Sequence, residues 1–316
     1  MISNENLYSS SNGTKTRRDW NRTWTETKIE RPSDNANKSK RCVITIPVYK
    51  KQLTELEADS LRQVVKILGD KYELVLFCPV SLDITPYNEV GGYNFSVLRC
   101  TDEFFKSQRS YSDLCERWEF YDAFSEFEYM IIYQLDAWIF EDKLDYFMDM
   151  GYDYIGAIHL VGFKNREGEN GNGGFSLRKV KTFTDVCKKT DFSPYRALED
   201  CVFTQALKHL FNLAPLKVCR QFSFQDTPSI FFKQNGNKLP MGCHAFRKFN
   251  WQFWKKYIIP EKYNNEPEQV TRYIAPRKIQ GGELVSSVYG ESAIEKIIAR
   301  RKIKALEKSG PVRKFR

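Results

Sequence analysis

Four short stretches of this chain carry residue types whose spacing could do chemistry. The first is YQLDAWIF, residues 133–140, where Asp136 stands one step beyond a continuous apolar run. An acid at the carboxyl end of a buried strand is placed to hold a metal or a ribose hydroxyl, because open α/β sheets bind ligands beyond those strand ends. The competing reading is an Asp that caps the next turn. The second is GENGNGGFSLRKV, residues 168–180. Gly171, Gly173 and Gly174 let backbone approach a ligand with no side chain between. Arg178 and Lys179 follow at an expected helix start, where free N–H groups and cations suit phosphate. An ordinary surface turn is the alternative, and the spacing excludes a P-loop. The third is Leu198–Glu199–Asp200, two acids opening a helix, which by themselves read as capping residues. The fourth is His244 in MGCHAF. Of the other two histidines, His209 falls mid-helix and His159 ends a strand beside the glycine loop.

Something must hold these groups in place, and the hydrophobic pattern says what. Residues 42–50 (CVITIPVYK) form a short apolar, β-branched run stopped by Pro47. Leu53, Leu56, Leu61, Val64, Val65 and Leu68 then recur at helical period, and Gly69 ends the element. Further strands are expected at 72–79, 93–100, 128–136 and 152–158, with a long aromatic helix over 110–127. Beyond residue 160, helices are expected near 179–189 and 198–211, and a terminal basic helix with an Ile stripe over 293–308. Strands alternating with helices indicate an α/β layered sheet, mainly parallel in its first half.

Composition sets the outer limits. The 316 residues are 41% hydrophobic and 15% aromatic, enough for a sizeable core. No run approaches the roughly 20 apolar residues of a membrane span, and the polar first 20 residues contain no secretory h-region. Eight scattered cysteines without a CxxC pair suit buried, reduced thiols rather than a disulfide framework or structural zinc. The formal charge of +9 lies in the two ends: residues 1–40 carry +3 and residues 261–316 carry +6. The middle sums to zero, as −10 over 41–160 and +10 over 161–260, two halves expected to line one cleft. That distribution, with no nucleic-acid motif, argues against a nucleic-acid partner. The expected organisation is therefore a flexible polar tail (1–40), with Trp20 and Trp24 docking locally, one folded domain (41–260) and a basic extension (261–316).

The order of these pieces is more specific than any one of them. A strand ending in PVYK, a strand ending in an acid, a Gly-Gly pair, a Glu-Asp pair opening a helix and a late His together resemble the nucleotide-sugar glycosyltransferases of the GT-A fold. YQLDAWIF, GNGGFSLRKV, ED and GCHAF are particularly similar to a bacterial family of uncharacterised glycosyltransferase-like proteins from surface-polysaccharide gene clusters. The resemblance covers roughly residues 41–258.

It implies a GT-A-like, mainly parallel sheet flanked by helices, and a role for each matching residue. Gln134–Leu135–Asp136 would occupy the DxD position and, with Tyr49, Gly173, Gly174 and Arg178, bind the donor. Asp136 and His244 would hold a divalent cation, Mn²⁺ or Mg²⁺. Asp200, with Glu199 beside it, would be the general base of an inverting transfer to a glycan or lipid-linked acceptor. Gln134 departs from the pattern, since an amide brings no charge to a divalent ion, and a metal-independent enzyme stays open. The resemblance also implies a cytoplasmic protein, with peripheral contact at the inner face of the membrane through the basic helix. Two further readings stand beside it. A non-catalytic sugar-nucleotide-binding module is favoured by Gln134. A nucleotidyltransferase is disfavoured because PVYKKQLTE has no glycine after the first strand.

Overall fold

The computed structural model describes residues 28–35, 37–158 and 171–265, and two paired strands, Ile274–Lys278 and Leu284–Val288. Trp20, Trp24, His159 and the expected helix over 293–308 lie outside the described residues.

The first half is a run of strand and helix. Strand β1 (Ser39–Pro47) is followed by α1 (Glu55–Leu68), β2 (Tyr72–Pro79), α2 (Thr85–Gly91) and β3 (Ser96–Cys100). Helix α1 starts where its sequence says it should. Thr54 accepts from the Glu57 N–H, and the Glu57 carboxylate accepts from the Thr54 N–H, a reciprocal capping box. Two short helices, α3 (Gln108–Cys115) and α4 (Trp118–Asp122), then lead into β4 (Tyr129–Tyr133). The expected single helix over 110–127 is thus broken at Glu116–Arg117, which lets Phe120, Tyr121 and Phe124 turn into the core.

After β4 come β5 (Ala137–Ile139), α5 (Leu144–Asp149), β6 (Tyr154–Ala157), β7 (Asn172–Lys179) and α6 (Val180–Lys189). Helix α7 (Glu199–Cys201) passes at once into a π-helical turn at Val202–Ala206 and a 3₁₀ turn at Lys208–Leu210. The helix expected over 198–211 is therefore not regular, and His209 is exposed on the 3₁₀ turn. Helices α8 (Leu216–Phe222) and α9 (Pro228–Gln234) flank β8 (Ser223–Phe224), and β9 (Gly242–His244) completes the part that matters for the site.

The main sheet has the order β3-β2-β1-β4-β7-β6. The pairs β3·β2, β2·β1 and β1·β4 are parallel, while β7 is antiparallel to both β4 and β6. The fold class is α/β with a mixed, mainly parallel sheet. Side chains alternate across it, as a pleated strand requires. Ile44, Ile46, Leu74, Leu76, Ile131 and Tyr133 pack into one buried layer, and Val43, Val75, Phe77, Met130 and Ile132 into the other. Both faces are covered, which is why these strands read as continuous apolar runs rather than alternating ones.

A second, three-stranded sheet, β5-β9-β8, stands at the carboxyl end of β4. Its pairing sets Ala137 opposite His244, so residues more than 100 apart in sequence meet at one spot. The described part of the expected tail is packed as well. Glu30 bridges Val97 on the outer edge of β3, through N–H···O bonds of 2.8 and 2.9 Å. Arg31 pairs with buried Glu73 at 2.7 Å, and Lys40 with Glu126 at 2.8 Å. All eight cysteines are free, and seven of them are buried.

Candidate active site

A cavity of about 650 Å³ opens beyond the carboxyl ends of β1 and β4. Its walls come from the segment after β1 (Val48, Tyr49, Lys50), from α1 (Glu57) and from the stretch entering α3 (Phe105, Lys106, Tyr111). Gln134 and Asp136 line it from the turn after β4. Tyr49 is 55% exposed there, an accessible ring at a strand end. Lys50 is held by Glu57 at 2.5 Å, so the residue that caps α1 also anchors a cation of the cavity wall.

Gln134, Asp136 and His244 converge. The His244 Nε2 lies 3.1 Å from Gln134 Oε1 and 3.2 Å from Asp136 Oδ1. The Asp136 side chain is half-exposed and ringed by protein. Burial raises its pKa, yet the charge and hydrogen bond of His244 outweigh that and hold the carboxyl below its ordinary range. On the far side of the ring, Nδ1 is 3.1 Å from Gln225 Oε1, a buried residue between β8 and α9. Gln225 went unnoticed in the sequence because a lone Gln carries no motif; only the β8·β9 pairing brings it to the ring.

The Gly-Gly pair sits inside β7 rather than in a loop. Gln134 N–H donates to the Gly174 carbonyl at 2.8 Å and so extends the β4·β7 ladder by one rung. The opposite edge of β7 slips: Gly156 pairs with Ser176 but Ala157 pairs with Asn172, a bulge that re-aims the residues between. Hence the two glycines look at different clusters. A methyl on Gly174 would overlap the His244 ring and stand 2.6 Å from Gln134 Oε1. One on Gly173 would lie 2.8 Å from the Arg178 guanidinium and 2.9 Å from Glu199 Oε1. The glycines are there for close approach to the protein's own polar groups.

The Glu-Asp pair forms the second cluster, and both residues are buried. Asp200 Oδ2 accepts from the Gly173 N–H and the Asn172 amide, each at 3.1 Å, and Oδ1 accepts from the Cys201 N–H at 2.8 Å. Glu199 takes a short hydrogen bond from Ser112, whose hydroxyl in turn accepts from the Glu199 N–H at 2.7 Å. Burial first, and then the adjacent Asp200 charge, push the Glu199 carboxyl above its ordinary range, while Arg178 and Ser112 pull it back.

Arg178 departs from expectation. It belongs to β7, ahead of α6, and is fully buried. Its guanidinium lies among Tyr154, Phe183 and Phe203, with centroid distances of 5.4 to 5.9 Å. Strand alternation turns it into the aromatic layer, so it does not line the cavity and the expected contact with a donor phosphate does not follow from its placement. The cavity's cations are Lys50 and Lys106.

A family model described as a protein of unknown function (DUF5672) matches residues 94–244. The match runs from just before β3 to the end of β9, taking in both clusters and leaving out Tyr49. No curated protein matches the chain. Among solved structures, the chain is similar to the galactosyltransferase LgtC in complex with donor and acceptor sugar analogs, at TM-score 0.47 and 12% identity. That likeness covers 64% of this chain and 86% of that one. It is also similar to mouse xyloside xylosyltransferase 1, at TM-score 0.42 and 12% identity, covering 64% and 96%. Core-mannan synthase A from Aspergillus fumigatus, in its Mn/GDP form, gives 0.38 and 12%, covering 58% and 76%.

The donor set at the first cluster can be tested for a cation. Octahedral ligands at about 2.1 Å stand about 3.0 Å apart, and the two distances from His244 Nε2 come close to that edge. A ring N–H on Nε2 satisfies the Asp136 carboxylate, and a shared cation would replace that proton. Among the described residues there is no group of three or more His, Cys, Asp or Glu that could hold a metal. One imidazole, one carboxylate and one amide would supply at most half of an octahedral shell, the rest being left to water and phosphate oxygens.

Gln225 should matter to that fit, because the partner of the second ring nitrogen fixes the orientation of a ligating His. Gln225→Leu is expected to weaken Mn²⁺ binding about 10- to 100-fold. Titration of the ion against the folded variant measures it, and an unchanged affinity would remove Gln225 from the account.

Proposed function

We propose that this chain transfers a sugar from a nucleotide-diphosphate donor to a hydroxyl of a glycan or lipid-linked acceptor. The observation that carries the reading is the meeting of Gln134, Asp136 and His244 at the edge of the 650 Å³ cavity, beyond the carboxyl ends of two parallel strands. Switch points of this kind are where α/β sheets hold nucleotides. The cavity suits such a donor: it offers aromatic rings for a base or ribose (Tyr49, Tyr87, Phe105) and two lysines for phosphates. Asp136, His244 and Gln134 would hold a divalent ion, Mn²⁺ or Mg²⁺, whose contribution is to neutralise charge on the leaving diphosphate. The chain's own residues do the rest. Lys50 and Lys106 attract the phosphates, and Tyr49 packs against the nucleoside. In this reading Asp200, which like Arg178 lies outside the cavity lining, accepts the acceptor's proton during in-line attack, which gives inversion at the anomeric carbon. Surface-polysaccharide synthesis at the inner face of the membrane is the setting this chemistry suits. No helix among the described residues is long and apolar enough to cross a membrane.

Gln134 favours a second reading, a module that binds the sugar nucleotide without turning it over, since its amide adds no charge where an acid would. A thermal-shift screen against UDP-, GDP- and CMP-sugars addresses what both share. One nucleotide series is expected to raise Tm by mass action, and to raise it further with Mn²⁺. If no nucleotide shifts Tm at millimolar concentration, both readings fail.

A further inference from the structure

Arg178 is a charge buried to 0% exposure in an aromatic layer, away from the cavity. Taking a guanidinium out of water is costly, and an apolar residue of similar volume commonly stabilises a fold more. Its contacts show what it is fitted to. Nε donates to Ser176 Oγ at 3.1 Å, and Ser176 donates onward to the Gly173 carbonyl at 2.9 Å. Nη1 donates to the Tyr121 hydroxyl at 2.7 Å. Nη2 makes no hydrogen bond and faces Glu199 Oε1 at 3.8 Å, close beneath Gly173. Across its Cα, the N–H of Gly173 donates to Asp200 Oδ2 at 3.1 Å.

We infer that Arg178 is a positioning residue for Asp200: from inside the core it braces Gly173, whose N–H holds the Asp200 carboxylate, through Ser176, and it balances the charge of Glu199, the next residue along the chain. The inference rests on Asp200 being the base, but the brace itself is independent of any substrate. The π-helical turn starting at Val202 belongs to the same arrangement, with Thr204 donating to the Asp200 carbonyl at 2.6 Å. The charged groups facing Glu199 are Arg178 and Asp200; Glu116, paired with Arg109, faces Cys115. Its titratable neighbours are Tyr111 and Cys115 of α3, Tyr154 of β6 and Cys201, all pushed up by burial and neutral. Tyr121 of α4 and Cys187 of α6 face Arg178 and are neutral for the same reason.

The test uses the full chain without ligand, labelled for carbon NMR of the Glu199 carboxyl and nitrogen NMR of the Gly173 amide. In Arg178→Met the Glu199 titration midpoint is expected to rise by about 1 unit or more, because an opposite charge has gone. A folded Arg178→Met with an unmoved Glu199 midpoint would overturn the inference. Ser176→Ala keeps the charge and cuts only the brace, so it covers the case in which Arg178→Met does not fold. Its Gly173 amide resonance is expected to shift, and turnover to fall in kcat with KM unchanged. An unshifted Gly173 amide in Ser176→Ala would equally overturn it. Absence of any turnover in the wild-type chain would count against the transferase reading, while the two NMR readouts would still decide the brace.

Discussion

Asp200→Asn is expected to lower kcat by about 10²- to 10⁴-fold, the usual worth of a positioned general base, with little change in KM. The substitution keeps the shape of the side chain but removes its capacity to take a proton. It also has a structural cost that can be foreseen. Both oxygens of Asp200 face N–H donors, so the new amide nitrogen must oppose the Gly173 and Asn172 pair or the Cys201 N–H. One unsatisfied buried contact costs about 1–3 kcal/mol. The variant should therefore melt a few degrees lower while binding the nucleotide as before. Sugar release by folded protein, measured beside nucleotide-induced stabilisation, separates the effects. Full turnover in a folded Asp200→Asn chain would show that the proton goes elsewhere.

Gly174→Ala is the second large effect, and it acts on the other cluster. The added methyl has no free space: it overlaps the His244 ring and crowds Gln134 Oε1 at 2.6 Å. The Gln134 amide is the end of a flexible side chain and can swing aside, but the His244 ring cannot. His244 is fixed by β9 pairing and by Gln225, while the Gln134 backbone is tied to Gly174 itself. The ring must move, and a displacement of about 1 Å in a positioning group costs on the order of 10²-fold in rate. Overpacking adds about 1–3 kcal/mol of destabilisation. Turnover is expected to fall at least that far, with the Mn²⁺-dependent part of the thermal shift lost. Gly173→Ala presses instead on Arg178 and Glu199, so it should spare the Mn²⁺ response and lower turnover through Asp200. Two adjacent glycines with separable defects would be a signature of the bulged strand between the two clusters.

Much of this was legible in the sequence, and the reason is periodicity. Strand β2 falls at residues 72–79 as read, because the apolar run Leu74–Cys78, followed by Pro79, is too short for a buried helix. The pairing of Asp136 with His244 came from the family resemblance rather than from periodicity, and β5·β9 pairing does bring them together. What escaped the sequence was aim. Asn172–Lys179 looks like a loop because glycine is rare inside strands, and only the slip against β6 explains why two glycines are needed there. Arg178 looked like a phosphate ligand, since a cation after glycines at a helix start usually is one. Its burial depends on strand parity, which no local pattern near a bulge fixes. Gln225 and Ser176 were invisible for a plainer reason: a single polar residue carries no spacing, and each gains meaning only from a partner brought by the tertiary fold.

Release of free sugar from a panel of UDP-, GDP- and CMP-sugars by the wild-type chain with Mn²⁺, beside Asp136→Ala, tests the central claim most directly. One nucleotide series is expected to be cleaved by the wild type, and the loss of Asp136 should abolish both that cleavage and the Mn²⁺ response. Cleavage that persists undiminished in folded Asp136→Ala, or a wild type that cleaves no member of the panel while binding one tightly, would contradict it.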